Sequence, residues 1–171
     1  METQNTNEMV ITRVFNAPRA LVFKTFTEAQ HLAHWWGPVG FKLEVIKLDF
    51  TNGGSFHYVM KSADGHEMYG VFNYREIIEP EKIVFTNGFA DRDGNTIRAA
   101  FSPLFPIEVL NTWTFTEEHG KTTLTLKGGP YNATEEENSF FTAMKDNMNQ
   151  GFNATFNQLE TYLASLTHNK H

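Results

Sequence analysis

Apolar residues recur at every third or fourth position through the C-terminal part of the chain, and this spacing predicts one long helix from about Thr134 to Leu166. Thr134, followed three residues later by Glu137, predicts a capping box at the helix start. A long apolar stripe needs a broad apolar surface to pack against. The predicted stripe consists of Phe141, Met144, Met148, Phe152, Phe156, Leu159, Leu163 and Leu166.

The upstream segments are predicted to be mainly strands, and the short turns between them make the sheet antiparallel. Two short helices follow the first strand, one opening at Ala17-Pro18 and one at a Thr27-x-x-Gln30 box. The predicted strands are Val10 to Asn16, Phe41 to Phe50, Ser55 to Lys61, Met68 to Ile78, Lys82 to Asn87, Ile107 to Phe115 and a last one through Thr122, Leu124 and Leu126.

This order of elements predicts an α+β fold in which a curved antiparallel sheet of about six or seven strands wraps around the C-terminal helix. The chain is long enough for one domain with a substantial core. We therefore expect a single domain over residues 1–171, with flexible tails at 1–8 and 167–171.

Several stretches resemble a known superfamily. They include Asn16-Ala17-Pro18-Arg19, His31 to Pro38, Asp49 to Phe56, Glu76 to Pro80, Asn132 to Glu136 and Gly151 to Leu159. The chain is similar in these stretches to the START-related helix-grip (SRPBCC) superfamily, and more narrowly to proteins like the C-terminal domain of the activator of the ninety-kilodalton heat-shock-protein ATPase. The resemblance implies a deep apolar cavity between sheet and helix. It implies no single reaction, because members bind lipids, carry polyketides or assist chaperones.

The inward phase of the strands and of the C-terminal helix predicts which residues wall this cavity. Gly151 borders the inward helix face, and its missing side chain leaves space for a ligand or for close contact with the sheet. Phe152 stands where many relatives have tryptophan, which shortens that wall. The predicted ligand-binding residues are Trp36, Phe56, Tyr58, Met60, Phe72 and Trp113 on the sheet side and Met144, Met148, Gly151 and Phe152 on the helix.

Composition narrows the function further. The net charge is −6 and no basic cluster is present, which argues against nucleic-acid binding. The absence of cysteine excludes disulfides, thiolate zinc sites and cysteine nucleophiles. A polar opening sequence and the lack of a membrane-length apolar run predict a cytoplasmic protein without a membrane span. The 16 phenylalanines fit either a packed core or a pocket wall.

Few residues point to catalysis or metal binding. His31 and His34 lie three apart and, with Glu28, have the makings of a zinc site, but exposed histidines are the simpler interpretation. The stretch Asp91 to Asn95 lacks the third acidic ligand and distal glutamate of a calcium loop, so a hairpin tip is expected. We predict no catalytic residue, metal or cofactor.

Two local features complete the predictions. His57 alternates onto the face opposite Phe56 and Tyr58, which predicts exposure to solvent. The proline-broken piece Phe101 to Pro106 is interpreted as a cavity lid, a homodimer contact or packed irregular core.

Three functions remain open at this stage. The chain binds a small hydrophobic or amphipathic molecule in the cavity, or it is a cofactor-free cyclase or hydratase using polar groups such as Tyr58 or Asn111, or it is a chaperone-cofactor-like module acting through its surface. A buried acid–base pair would favour the second and a strongly basic surface the third. Neither is visible in the sequence, so ligand binding is the favoured hypothesis.

Overall fold

The computed structural model describes residues 8–37, 40–99 and 103–168. Residues 167 and 168 are described by their backbone only. Of the predicted tails at 1–8 and 167–171, residues 1–7 and 169–171 lie outside these ranges. The predicted element order is confirmed. The elements are β1 (Met9–Phe15), α1 (Arg19–Lys24), α2 (Ala29–Trp35), β2 (Lys42–Leu48), β3 (Ser55–Lys61), β4 (Glu67–Ile78), β5 (Lys82–Ala90), β6 (Val109–Glu118), β7 (Lys121–Pro130) and α3 (Glu135–His168).

One seven-stranded antiparallel sheet contains all these strands, in the order β1-β7-β6-β5-β4-β3-β2. Helix α3 lies across its inner face, where Phe156 packs against Phe15 and Trp113 at ring-centroid distances of 5.9 and 6.0 Å. Alternate residues of each strand face this helix, which is the period-two pattern expected of a sheet with one buried side. The predicted α+β helix-grip fold is confirmed.

Helix α3 begins with the predicted capping box. The Thr134 N–H donates to Glu137 Oε1 at 2.8 Å, and the Glu137 N–H donates to Thr134 Oγ1 at 3.1 Å. These two bonds satisfy donors that a helix start otherwise leaves unpaired. The helix continues through His168, two residues into the predicted tail.

The predicted capping box of the second short helix is wrong. Helix α2 has Glu28 at its N-cap position, without a side-chain cap, and the Thr27 hydroxyl donates instead to the Lys24 carbonyl at 3.0 Å. Thr27 thus closes the preceding turn rather than opening the next helix, a use of threonine that competes with capping. The C-terminal end of α2 is tied to α3 by Gln158 Nε2, which donates to the Trp35 and Gly37 carbonyls at 3.2 and 2.8 Å.

Helices α1 and α2 fill one end of the space between sheet and α3. Phe26 meets Trp35 at 4.7 Å and Trp113 at 5.5 Å between ring centroids, and Phe23 meets Phe115 at 5.2 Å. All five of these side chains are buried. We call this the filled end. The opposite end receives no comparable insertion from the described residues.

Candidate functional site

The other end of the grip, which we call the hollow end, encloses a cavity with two chambers. The inner chamber has a volume of about 190 Å³ and the outer, which opens towards solvent, about 320 Å³. The two chambers adjoin, since both are lined by Met60, Phe89, Met148 and Phe152. For scale, an apolar cavity of about 150 Å³ holds benzene. The inner chamber therefore has room for roughly one ring with a small substituent.

The walls are almost entirely apolar. Ionisable acids and bases other than tyrosine are absent from the described residues that line either chamber. The inner chamber is lined by Met9, Tyr58, Met60, Tyr69, Gly70, Asn87, Gly88, Phe89, Phe105, Val109, Asn111, Phe141, Met148 and Phe152. Trp36, Gly37, Gly151 and Thr155 complete the outer chamber.

The structure brings together part of the predicted ligand-binding set. Trp36, Tyr58, Met60, Met148, Gly151 and Phe152 lie in the walls of the two chambers. Phe56, Phe72 and Trp113 have the predicted inward phase but are packed into the aromatic core, and Met144 lies half-buried outside both linings. At the level of Met144 the helix side of the wall comes from Phe141 and Met148 instead. Whether any of these residues contacts a ligand remains a prediction.

Other wall residues were missed because of where β5 was predicted to end. The strand continues past Asn87 to Ala90, and the same alternation that points Phe85 inward brings Asn87 and Phe89 to the cavity. Gly88 interrupts the apolar alternation directly after the predicted end of the strand at Asn87. Its extended backbone leaves no space for a side chain, because a Cβ there would lie 2.2 Å from the Ile107 carbonyl oxygen. Asn87 already lies within the predicted strand, and extending the alternation across that glycine would have found Phe89.

Gly151 lines the outer chamber but is exposed to solvent, rather than turned away from it as predicted. A Cβ at this position would meet no atom within 4 Å in the described structure. The alternative that the glycine permits close sheet contact is therefore wrong, because no sheet atom approaches it. The other alternative, that it leaves space, agrees with its place in the chamber wall.

Polar groups enter the inner chamber through a short relay of amides. Trp113 Nε1 donates to Asn111 Oδ1 at 3.3 Å, and Asn111 Nδ2 donates to Asn87 Oδ1 at 2.7 Å and to the Val109 carbonyl at 3.2 Å. Asn111 is 2% exposed. Gly128 makes room for it, since a Cβ there would lie 2.8 Å from Asn111 Oδ1. The relay therefore holds the amide in one position.

Tyr58 brings a hydroxyl group to the inner chamber. Its ring lies over Gly70 on the neighbouring strand, where a Cβ would fall 2.4 Å from the hydroxyl oxygen. Burial raises the pKa of Tyr58 to about 12, and the neighbouring Trp36 indole lowers it by a smaller amount. The Trp36 Nε1 atom is itself buried and meets no acceptor at hydrogen-bond geometry within the described chain. Tyr58 is thus a neutral hydroxyl at physiological pH.

The predicted exposure of His57 is wrong. The side chain does point away from α3, but the loop after β5 covers it, and His57 is 6% exposed. His57 Nε2 lies 3.0 Å from the Asp91 carbonyl oxygen. Asp91 Oδ1 accepts hydrogen bonds from the backbone N–H groups of Asp93 and Asn95, both at 2.9 Å. The stretch Asp91 to Asn95, predicted as a hairpin tip, is thus a turn held by its own aspartate.

The histidine pair of α2 is occupied by contacts to α3. His31 Nδ1 lies 2.6 Å from the Tyr162 hydroxyl, and His31 Nε2 lies 3.2 Å from Glu28 Oε1. His34 stacks on the Tyr162 ring at 4.6 Å. His31 is buried rather than exposed as predicted, and this desolvation lowers its pKa. Among the described residues, no group of three His, Cys, Asp or Glu side chains could hold a metal ion.

The segment interpreted as lid, dimer contact or core is described only in part, because Phe101 and Ser102 lie outside the described residues. Phe105 lines the inner chamber, with its ring 6.1 Å from Phe89 and 6.3 Å from Phe141. Arg98 Nη1 donates to the Phe105 carbonyl at 3.3 Å and pairs with Glu137 at the start of α3. These contacts hold the rim of the hollow end. A role in access or self-association remains a prediction.

Comparison with known proteins identifies the family. The family model described as Activator of Hsp90 ATPase homolog 1-like protein matches residues 16–164. The chain belongs to this family. This supports the START-related resemblance, and the fold is of a ligand-binding type. Among curated proteins, no significant match is found.

Solved structures of the family agree with the fold. Protein Ms6760 from Mycobacterium smegmatis is 26% identical with a TM-score of 0.77, and the alignment covers 97% of this chain and 96% of that one. A protein from Staphylococcus epidermidis is 27% identical with a TM-score of 0.76, covering 95% and 93%. A protein from Arthrobacter aurescens, 22% identical with a TM-score of 0.79 and covering 99% and 96%, shares the fold. None of the described helices is long and apolar enough to cross a membrane.

Proposed function

We propose that the protein binds a small apolar or amphipathic molecule in the two-chambered cavity. The observation that carries this proposal is the void itself, about 190 Å³ in the inner chamber with apolar walls, in a protein whose other end is packed with aromatic rings. Protein interiors are close-packed, and few of their voids are larger than a water molecule. Together with the outer chamber of about 320 Å³, it falls within the range of about 300–1,000 Å³ that is typical of small-molecule sites.

Binding is favoured over acid–base catalysis by the titration of the tyrosines at and behind the cavity. Burial raises the pKa of Tyr58 to about 12 and also raises the pKa of Tyr74, which lies next to it in the core. A general acid or base works best with a pKa near the working pH. These two groups are displaced away from that range, so they support a role in polar contact rather than in proton transfer.

The proposal is tested with N-phenyl-1-naphthylamine, a neutral probe whose fluorescence rises in apolar surroundings. The test variant is Gly151→Leu, because Gly151 lines the outer chamber and a Cβ there would meet no atom within 4 Å, so the added side chain is expected to occupy part of that chamber. The matched control is Gln150→Leu, which adds the same side chain one residue earlier, at an exposed position that lines neither chamber. Native mass spectrometry of freshly purified wild-type protein records any retained molecule.

We expect the wild-type protein and the Gln150→Leu control to bind the probe equally, and Gly151→Leu to bind it at least about tenfold more weakly with an unchanged circular dichroism spectrum. If all three proteins bind the probe equally, the cavity is not the binding site. If none binds it and the native mass is that of the chain alone, the proposed function is wrong.

A further inference from the structure

The hydrogen bonds around Asn111 have a direction that is fixed by chemistry. An indole N–H can only donate, so Asn111 must turn its oxygen to Trp113 and its amino group to Asn87. Asn87 must then accept with its own oxygen. This leaves the Asn87 amino group as the free end of the relay.

That free end faces the ligand space. Asn87 lines the inner chamber, and within the described chain its Nδ2 has no hydrogen-bond partner and is not enclosed by protein. The Tyr58 hydroxyl, in the same chamber, donates to no acceptor at hydrogen-bond geometry among the described residues. The chamber thus presents donors that a ligand oxygen can satisfy, on positions held by the relay and by the ring packing of Tyr58.

The charge of the ligand is constrained by the same walls. The described lining residues carry no cationic or anionic side chain, so an ionised head group entering the chamber would lose its water without gaining a counter-ion. Leaving a charge unpaired in such surroundings is far more costly than burying a neutral carbonyl that accepts a hydrogen bond. A neutral acceptor is the polar group that fits.

We propose that the inner chamber selects neutral molecules with a carbonyl-type oxygen on an apolar frame of about one ring, and that the Asn87 amide donates to this oxygen. The Tyr58 hydroxyl is a second donor in the same chamber. This inference rests on the proposed binding function and states which class of molecule the chamber prefers. The volume of the inner chamber sets the frame size, and the outer chamber accommodates an apolar extension.

Three compounds of equal size separate the contributions: acetophenone, cumene and benzoate. They share a benzene ring and the same number of heavy atoms, and they differ in carrying a neutral acceptor, no polar group or a charge. Dissociation constants are measured by displacement of N-phenyl-1-naphthylamine from the wild-type protein, from Asn87→Leu and from Met148→Leu. The last is the control, because it changes a wall residue that has no polar group able to bond a ketone.

We expect Asn87→Leu to weaken acetophenone by about three- to tenfold and to leave cumene unchanged or tighter, which corresponds to the loss of one net hydrogen bond. Met148→Leu should shift both compounds by the same factor. Benzoate should bind the wild-type protein at least about tenfold more weakly than acetophenone. Equal weakening of acetophenone and cumene by Asn87→Leu, or benzoate binding as tight as acetophenone, overturns the inference while leaving cavity binding intact.

A second measurement needs no variant and decides the case if Asn87→Leu does not fold. The infrared carbonyl stretch of carbon-13-labelled acetophenone bound to the wild-type protein should lie below its value in hexane, because a donated hydrogen bond weakens the C=O bond. A stretch equal to that in hexane would overturn the inference. Failure of all three compounds to displace the probe also overturns it, and failure of the probe itself to bind overturns the proposed function.

Discussion

The two ends of the grip share one sheet and one helix, yet one is filled and the other hollow. At the filled end, the space left between Phe26, Trp35 and Trp113 is about 10 Å³, whereas the inner chamber at the hollow end has about 190 Å³. The difference comes from α1 and α2, which insert aromatic rings between sheet and α3. A curved sheet and a helix cannot pack against each other along their whole length. The space between them that no side chain fills remains as a cavity.

The largest expected effect is at the filled end. Phe26→Ala should lower the free energy of unfolding by about 3–5 kcal/mol, because it empties a site enclosed by rings on several sides. Met148→Ala, at the hollow end, should cost less than about 2 kcal/mol, since Met148 is only half-buried and already borders open space. Urea unfolding of both variants measures the difference. Equal losses would mean that the hollow end is packed in solution.

A larger side chain should be tolerated at the hollow end and should be destabilising at the filled end. Val109→Phe points a ring into the inner chamber and should change stability by less than about 1 kcal/mol while weakening probe binding about tenfold. Leu126→Phe makes the same kind of change in the filled core, where the side chain is fully buried, and should cost about 1–3 kcal/mol. Thermal unfolding and probe titration are the measurements. A strongly destabilised Val109→Phe would contradict the cavity.

A glycine in the hollow end should be intolerant of even one added methyl group. Gly70→Ala places a Cβ 2.4 Å from the Tyr58 hydroxyl, so the ring must move, and we expect a loss of about 1–3 kcal/mol. Truncation of that ring removes the clash, so Gly70→Ala in a Tyr58→Ala background should cost little or nothing. The coupling is read from a double-mutant cycle by urea unfolding. Additive losses would show that Tyr58 does not rest on Gly70.

The smallest expected effect concerns Glu137, which pairs with Arg98 at the rim of the hollow end. The Thr134 backbone N–H and the Arg98 guanidinium lower the pKa of Glu137 below its usual value of 4.5. A lowered carboxyl pKa stabilises the fold above the unfolded-state value, and this stabilisation is lost as pH falls through the folded-state value. Between pH 6 and pH 3, the free energy of unfolding of the wild type should therefore fall by about 0.3–1 kcal/mol more than that of Glu137→Gln, as measured by urea unfolding at each pH. An equal fall in the two proteins over this pH range would contradict the prediction.

The sequence was sufficient for the elements because their periods are local. The stripe on α3, the strand alternation and the Thr134–Glu137 box depend on residues only a few positions apart, and all three are present in the structure. Burial of His31 depends on a residue 131 positions away, Tyr162, and could not be read from the α2 pattern. Exposure was predicted incorrectly for His31 and His57 because each is covered by a segment that is remote in the sequence.

The cavity walls were predictable only to the extent that inward phase decides them. Phase cannot distinguish Trp113, which faces inward at the filled end, from Val109 and Asn111, which face inward on the same strand at the hollow end. The distinction depends on which segments α1 and α2 cover, a tertiary fact. The direction of the amide relay, in contrast, follows from residue chemistry as soon as the strand register is known.

The pairing of β1 with β7 has a consequence for how the chain acquires its shape during synthesis. The Thr122 hydroxyl donates to the Ala17 carbonyl, 105 residues earlier. The first strand therefore pairs only after the last strand has been synthesised. Non-local pairings of this kind fold slowly, and the ribosome adds about 5–20 residues per second. Nascent β1, α1 and α2 therefore spend seconds with their aromatic rings uncovered. The filled end, which is closely packed in the finished molecule, is thus prone to aggregation while the chain is growing.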